Sequence, residues 1–262
     1  MAVVALKELI DAGIHFGHSA SRWNPKMKPY IFGRRNSIHI IDVKATVKGL
    51  VQAYHLVEKL ASQGKAVLFV GTKPQAGSVV ERESSRCEMH YVSQRWLGGT
   101  LTNYETGLSR LGRLEELERR ETSGLLDAMR KKAVAQHVRE KRRLLKNLSG
   151  IRKMTKLPGL LVVVDPKKEK NAVAEARRMG IPTIALLDTD CDPESVDIAI
   201  PGNDDAMRAI EVVIRKLADA ALAGRRKMTD QQGIEQKLAA ETAPAEADAI
   251  AAKKLMEVQQ GR

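Results

Sequence analysis

Two groups of residues in this chain have side chains that could do chemistry, and the first is a pair of histidines near the amino terminus. His15 and His18 lie three residues apart in the stretch GIHFGHSASRWNPKMKPYIFGRRN, residues 13–36. A protein metal site usually needs three or four ligands, and this stretch offers neither cysteine nor carboxylate. We therefore expect no metal at these histidines, whose ring nitrogens can instead bond to backbone groups or to phosphate.

The second group is a set of aspartates in the segment LLDTDCDPESVDIAIPGNDDA, namely Asp188, Asp190, Asp192, Asp197, Asp204 and Asp205. They follow two apolar runs, and the carboxyl ends of parallel strands form the edge where open α/β sheets place active sites. Carboxylates there could hold Mg²⁺ for phosphoryl transfer, which gives a magnesium-dependent enzyme as the alternative function.

Several features of the sequence count against such an enzyme. No partnered nucleophile, lysine clamp or phosphate loop completes a catalytic set. The loop VGTKPQAG at 70–77 matches neither common phosphate-binding pattern. Asp192-Pro193 and Gly202-Asn203 are typical of turns and helix caps, so we assign Gly202 and Asn203 as structural anchors. We predict no catalytic residue, no cofactor, no metal and no small-molecule substrate.

The opening stretch also carries basic groups interleaved with aromatic ones, a pattern that suits RNA. Its predicted phosphate contacts are Arg22, Lys26, Lys28, Arg34 and Arg35. Trp23 and Tyr30 lie among them. We expect Trp23 to anchor the arm against the body, because the Asn24-Pro25 turn that follows must be held in place.

A basic residue next to an aromatic one recurs in QRWLGGTLTNYET at 94–106. Arg95 is predicted to contact RNA. Trp96 suits a core position as well as a contact with RNA, and we assign it as an anchor, since most tryptophans are largely buried. Gly98 and Gly99 are expected to permit a tight turn.

The net charge of +12 points to a polyanionic partner, with nucleic acid favoured over an anionic membrane. The charge is local: residues 101–153 hold 14 basic and 7 acidic residues, whereas residues 154–227 hold 12 of each. The additional RNA contacts predicted there are Lys131, Lys132, Arg139, Arg142, Arg143 and Lys146. Two distant cysteines favour a reducing cytoplasm, and we find no signal peptide and no run that approaches a membrane span.

The apolar pattern predicts an α/β fold, doubly wound around a five-stranded parallel sheet. Its strands are expected at 66–70, 90–92, 160–164, 183–187 and 197–200, where short apolar runs lack in/out alternation. Helices are predicted at 3–12, 43–62, 73–87 capped by Thr72, 168–179, and 203–227 capped by Asn203.

About sixty residues separate the second and third strands, far more than one crossover helix needs. Helical spacing of apolar residues predicts an antiparallel hairpin there, with helices at 103–122 and 125–148 joined by the turn at 122–124. Its predicted apolar positions include Val134, Val138, Leu145 and Leu148. The body would thus comprise 1–102, which includes the basic arm, and 150–227, with the hairpin at 103–149. Residues 228–262 would form a tail, flexible or helical on assembly.

The order of five motifs resembles one family, that of bacterial small-subunit ribosomal protein two, over residues 5–226. The motifs are GIHFGHSASRWNPKMKPYIFGRRNSIHIID, VLFVGTKPQA, YVSQRWLGGTLTNYET, LPGLLVVVDP and GIPTIALLDTDCDPESVDIAIPGNDDAMRAI. The resemblance implies a flavodoxin-like body with a coiled-coil hairpin and no enzymatic activity. It places the chain in the cytoplasm on the solvent side of the small subunit, between head and body.

The resemblance also implies partners and contact residues. The partners would be ribosomal RNA and neighbouring proteins, including small-subunit ribosomal protein one, which captures messenger RNA. The family's basic motifs correspond to Arg22, Trp23, Asn24, Lys26 and Lys28, and to Arg95, Trp96 and Asn103. At Ser19, Ala20 and Ser21 the chain departs from the family pattern, which has a glutamine and more basic character.

Overall fold

The computed structural model describes residues 4–123 and 130–230, and it begins with an arm that carries its own small sheet. Helix α1 (Leu6–Asp11) precedes an antiparallel sheet of β1 (Phe16–Ser19), β2 (Ile31–Arg35) and β3 (Ile38–Ile41), in the order β1-β3-β2. Asn36 and Ser37 join β2 to β3 with positive φ at both positions, the geometry of a tight hairpin turn. The segments YIFG and SIHIID of the sequence are typical of two extended pieces joined by a turn, and they form β2 and β3, whereas β1 and the 3₁₀ helix at Pro25–Tyr30 were not predicted.

The body contains a five-stranded parallel sheet flanked by helices, which confirms the predicted fold class. Along the chain come α2 (Val43–Ser62), β4 (Val67–Val70), α3 (Pro74–Arg86), β5 (His90–Val92), α4 (Tyr104–Thr122), α5 (Lys131–Leu148), β6 (Leu160–Val164), α6 (Lys170–Arg178), β7 (Thr183–Leu187), β8 (Ile198–Pro201) and α7 (207–230). The strand order β5-β4-β6-β7-β8 is the flavodoxin-like order 2-1-3-4-5.

Alternate side chains of the strands pack into two separate cores, one on each face of the sheet. On one face, Phe69 and Val162 pack with α2, α3 and α7. On the other face, Leu68 and Val163 pack with α6, Trp96 and the root of the hairpin. Because both faces are covered, the strands are continuously apolar, which is why their positions could be predicted from the sequence.

Two predicted helix caps differ from the structure. Helix α3 begins at Pro74 as expected, but its N-cap is Lys73, and Thr72 instead donates its hydroxyl hydrogen to Glu169. Helix α7 begins at 207, because residues 203–206 first form a turn whose backbone amides donate to Asn203 Oδ1. It continues to 230, beyond the predicted end at 227. The rest of the predicted tail, 231–262, lies outside the described residues.

Helices α4 and α5 pack against each other as a hairpin in the predicted part of the chain. Part of the turn and the expected start of the second helix, 124–129, lie outside the described residues. The seam differs from the prediction: Val138 is 41% exposed, whereas His137 is 7% exposed and occupies the position facing α4. In the parts of the chain that the structure describes, no helix is long and apolar enough to cross a bilayer.

Candidate nucleic-acid interface

The basic arm is fastened to the carboxyl edge of the large sheet. The backbone N–H of His18 donates to Asp188 Oδ1 over 3.0 Å, and His18 Nδ1 lies 2.7 Å from Asp188 Oδ2. The hydrogen bond to Asp188 raises the pKa of His18 to about 9. Asn24 N–H donates to the carbonyl oxygen of Thr189 over 2.7 Å. The arm is therefore held at its start by the segment that follows β7.

A half-buried lysine neutralises part of the aspartate cluster at this edge. Lys73 Nζ lies 2.9 Å from Asp165, 2.8 Å from Asp204 and 2.9 Å from Asp205. Burial alone would lower the pKa of Lys73, but the hydrogen bonds to these carboxylates raise it above its usual value. This role of Lys73 could not be predicted from the sequence, because the four residues are brought together by three different strands.

The same edge gathers potential metal ligands that were not predicted together. The donor atoms of His18, Asp188 and Asp204 lie within 4.8 Å of one another, and so do those of Asp165, Cys191 and Asp204. Asp204 Oδ2 is buried and, within the described ranges 4–123 and 130–230, has no hydrogen-bond partner. Carboxylate and imidazole are suitable ligands for a divalent ion, so His18 could join a metal site through the aspartates and not through His15.

The predicted RNA-contact residues of the arm are exposed, and most of them are not engaged in ion pairs. Arg22, Lys28 and Arg35 have no ion-pair partner among the described residues, and neither has Arg95. Arg34 donates to the hydroxyl of Ser37 over 3.4 Å. Lys26 differs, because its Nζ lies 2.9 Å from Asp192 and also contacts Glu194.

The six basic residues predicted on the hairpin lie on the outer side of α5. Lys131, Lys132, Arg139, Arg142, Arg143 and Lys146 are all exposed and, within 4–123 and 130–230, have no ion-pair partner. Other cations of the hairpin pair with the facing helix: Arg113 pairs with Glu140, and Lys141 pairs with Glu121. The hairpin therefore separates cations that pair between its two helices from cations that face solvent.

A buried carboxylate holds the turn that leads into the hairpin. Glu175 Oε1 accepts hydrogen bonds from Trp96 Nε1 at 3.0 Å and Gly99 N at 2.8 Å, and Oε2 accepts from Leu101 N at 3.0 Å. Trp96 is 7% exposed and belongs to the core. Of the two glycines, Gly99 has a φ of +86°, which favours glycine.

Of the remaining predicted anchors, Gly202 and Asn203 connect the body to the start of the arm, whereas Trp23 contacts a residue of the arm's own small sheet. Trp23 is 36% exposed and packs edge-on against His39, with ring centroids 5.2 Å apart. Asn203 Nδ2 donates to the carbonyl oxygen of Gly13 over 3.3 Å. A Cβ at Gly202 would lie 2.7 Å from the side chain of Ile14, so that position has no room for a side chain.

The small sheet exposes three large apolar residues that were not predicted from the sequence as a contact surface. Phe16 and Ile38 are exposed and lie on one face, next to Arg35, which pairs with Ile38 in the register of β2 and β3. Phe32 is 81% exposed and lies at an irregularity in that register, between Ile31 and Gly33. Such bulges redirect side chains, and exposed apolar groups of this size mark contact surfaces.

Comparison with known proteins decides the family. The model of a family described as ribosomal protein S2 matches residues 9–224. The chain belongs to the ribosomal protein S2 family. It is also 53% identical over 225 residues to the small ribosomal subunit protein uS2 of Rhodopirellula baltica, covering 86% of each chain.

Membership of the ribosomal protein S2 family assigns the broad role. The chain is a structural, non-enzymatic constituent of the small ribosomal subunit and takes part in translation. The phosphoryl-transfer alternative is therefore abandoned, and the predicted family is confirmed. Among the aspartates that had suggested phosphoryl transfer, Asp188 fastens the arm through His18, and Asp204 binds Lys73.

Proposed function

We propose that the chain binds ribosomal RNA of the small subunit through two basic surfaces. The first is the arm surface of Arg22, Lys28, Arg34 and Arg35, assisted by Arg95, and the second is the outer face of α5. The observation that carries this proposal is the lack of compensating charge: residues 12–41 contain no aspartate or glutamate. Exposed cations without carboxylate partners are available to phosphates, and their binding releases counterions from RNA.

The proposal is tested with small-subunit RNA and the full chain, by measuring affinity over a range of salt concentrations. The double variant Arg34→Ala/Arg35→Ala should bind more weakly, and its slope of log affinity against log salt should fall by about one for each lost phosphate contact. The matched control is Arg177→Ala/Arg178→Ala, an exposed adjacent pair on α6. Equal losses in both variants would mean that only the total charge matters.

Lys26 has a different expected behaviour from the other arm cations. Its ammonium already binds Asp192 and Glu194. We keep it among the proposed contacts, with the smallest expected effect on RNA binding, because breaking its ion pairs offsets part of what a phosphate would contribute. Its substitution should loosen the arm more than it weakens RNA binding.

We also propose that the chain helps to recruit small-subunit ribosomal protein one, and that the exposed apolar residues of the small sheet, Phe16, Ile38 and Phe32, support this contact. A protein partner suits these residues because large exposed apolar side chains commonly bind proteins. The variant Phe32→Ala should weaken binding of that partner in a pull-down with purified protein, while binding of small-subunit RNA stays unchanged. A loss of RNA binding alone would exclude this role for Phe32.

A further inference from the structure

The root of the hairpin contains an apolar cavity of about 110 Å³. It lies between the turn at Leu97–Thr100 and the two helices, and its walls include Leu97, Tyr104, Leu148 and Met154. No aspartate or glutamate lines it. Tyr104 donates its hydroxyl hydrogen to the carbonyl oxygen of Met154, so that the ring is fixed in the wall.

Two glycines keep this cavity open although the backbone does not require them. Gly98 and Gly107 both line it, and a Cβ built at either position would have no atom within 4 Å. Neither has a positive φ, in contrast to Gly99. Gly107 lies within α4, where glycine weakens a helix relative to alanine. The space itself is therefore a reason for these glycines.

The charge at the rim indicates the kind of occupant. Arg110 lines the cavity, is exposed, and has no ion-pair partner in the described parts of the chain. An apolar slot with an unpaired guanidinium at its edge suits a flat group that carries a negative charge. Unpaired nucleotides of RNA have this chemistry, since the base stacks on aromatic and apolar surface while arginine binds the phosphate.

The size of the cavity restricts the base. An apolar cavity of about 150 Å³ in another protein admits benzene, so a space of about 110 Å³ that is open on one side suits one ring and not two. We propose that this cavity receives a single unpaired pyrimidine base of RNA, with Arg110 binding its phosphate. This inference rests on the proposed RNA-binding function and names the nucleotide that one part of the surface would accept.

The test uses the full chain with two probes, a uridine octamer and an adenosine octamer. Gly107→Leu fills the cavity, and the matched control is Gly112→Leu, which lies in the same helix, also has free space at its Cβ and does not line the cavity. The wild type and Gly112→Leu should prefer the uridine octamer by roughly fivefold or more. Gly107→Leu should lose that preference. When the octamer carries 5-bromouridine, the wild type should cross-link to it through the peptide containing Tyr104, and Gly107→Leu should not.

The outcomes separate this inference from the function on which it rests. If the wild type binds both octamers equally, or if Gly107→Leu keeps the preference, the pyrimidine site is wrong, although salt-dependent binding of small-subunit RNA can still stand. If Gly107→Leu instead loses a small-subunit protein in a pull-down while its octamer preference is unchanged, the cavity receives a protein side chain. Failure of the wild type to bind small-subunit RNA would reject the proposed function itself.

Discussion

Glu175 shows how one residue can set the geometry of a distant loop. It lies on α6, yet its carboxylate binds backbone and side-chain donors between Trp96 and Thr102. Burial alone would raise the pKa of Glu175, but the hydrogen bonds from Leu101, Trp96 and Gly99 keep that pKa below its ordinary value. The carboxylate therefore stabilises the fold in its charged form.

Glu175→Gln should lower the free energy of unfolding by roughly 2 to 3 kcal/mol at neutral pH, because an amide cannot accept from donors on both sides. Since the folded pKa is depressed, this stabilisation is present above the ordinary carboxyl range, near pH 4.3, and is lost as the pH falls through the folded value. Urea unfolding of both proteins between pH 3 and 7 measures the difference. A difference that does not shrink in acid would contradict this role.

The roles of individual charged residues were the part least predictable from sequence. Composition indicated a polyanionic partner, but it could not show that half-buried Lys73 is paired with carboxylates, whereas Arg35 has no ion-pair partner in the described part of the chain. His18 and Asp188 are 170 positions apart, so their pairing depends on which strands are neighbours. The same holds for Glu175 and the turn at Gly99.

At the scale of elements, the seam of the hairpin buries a polar residue, His137, in place of the apolar Val138 that was predicted there. His137 is buried against α4, and neither ring nitrogen has a hydrogen-bond partner among the residues that the structure describes. An apolar residue in this position would avoid the cost of removing the imidazole from water. The ion pairs Arg113–Glu140 and Lys141–Glu121 lie on the same stretch of the two helices.

His137→Leu should therefore raise the stability of the hairpin by about 1 kcal/mol. Hydrogen exchange followed by mass spectrometry should show slower exchange of amides in α5. The neighbouring substitution Val138→Leu serves as control, because Val138 faces solvent, and it should leave exchange nearly unchanged. Faster exchange in His137→Leu would show that the imidazole has a favourable contact.

The elements themselves were largely predictable. All five strands of the large sheet were expected within one residue of their observed bounds, because buried parallel strands form continuous apolar runs. The small sheet was harder, since β1 consists of Phe16, Gly17, His18 and Ser19 and has no apolar run. Helical spacing alone could not decide between Val138 and its neighbour for the seam.

At the scale of the whole molecule, the hairpin is proposed to be separable from the body, although its root belongs to the second core. Leu111 and Leu148 are buried there together with Trp96. Removing 115–143 and joining the ends with a Gly/Ser linker should leave a cooperatively folding body, because the root is kept. Removing 105–148 should also allow folding, with stability lower by about 3 kcal/mol or more.

Urea denaturation of both deletion variants shows whether the hairpin is separable from the body or is needed for its folding. Equal stability of the two variants would show that the root leucines contribute little. Loss of cooperative unfolding in the shorter deletion would show that the distal hairpin is needed for the body, against the proposed division at 103–149. The wild type provides the reference for both.

The fastening of the arm to the carboxyl edge has a consequence for the order of events during synthesis. Residues 13–36 leave the peptide exit tunnel early, but Asp188, Thr189 and Asn203, which hold them, are polymerised about 150 to 190 residues later. At about 5 to 20 residues per second, roughly ten to forty seconds separate the two. During that interval the residues that hold the cationic arm have not been synthesised. Nascent chains that stop before Asn203 should therefore be unable to hold RNA in a defined geometry. Incorporation into new ribosomal particles would then require that translation of the chain has passed this point.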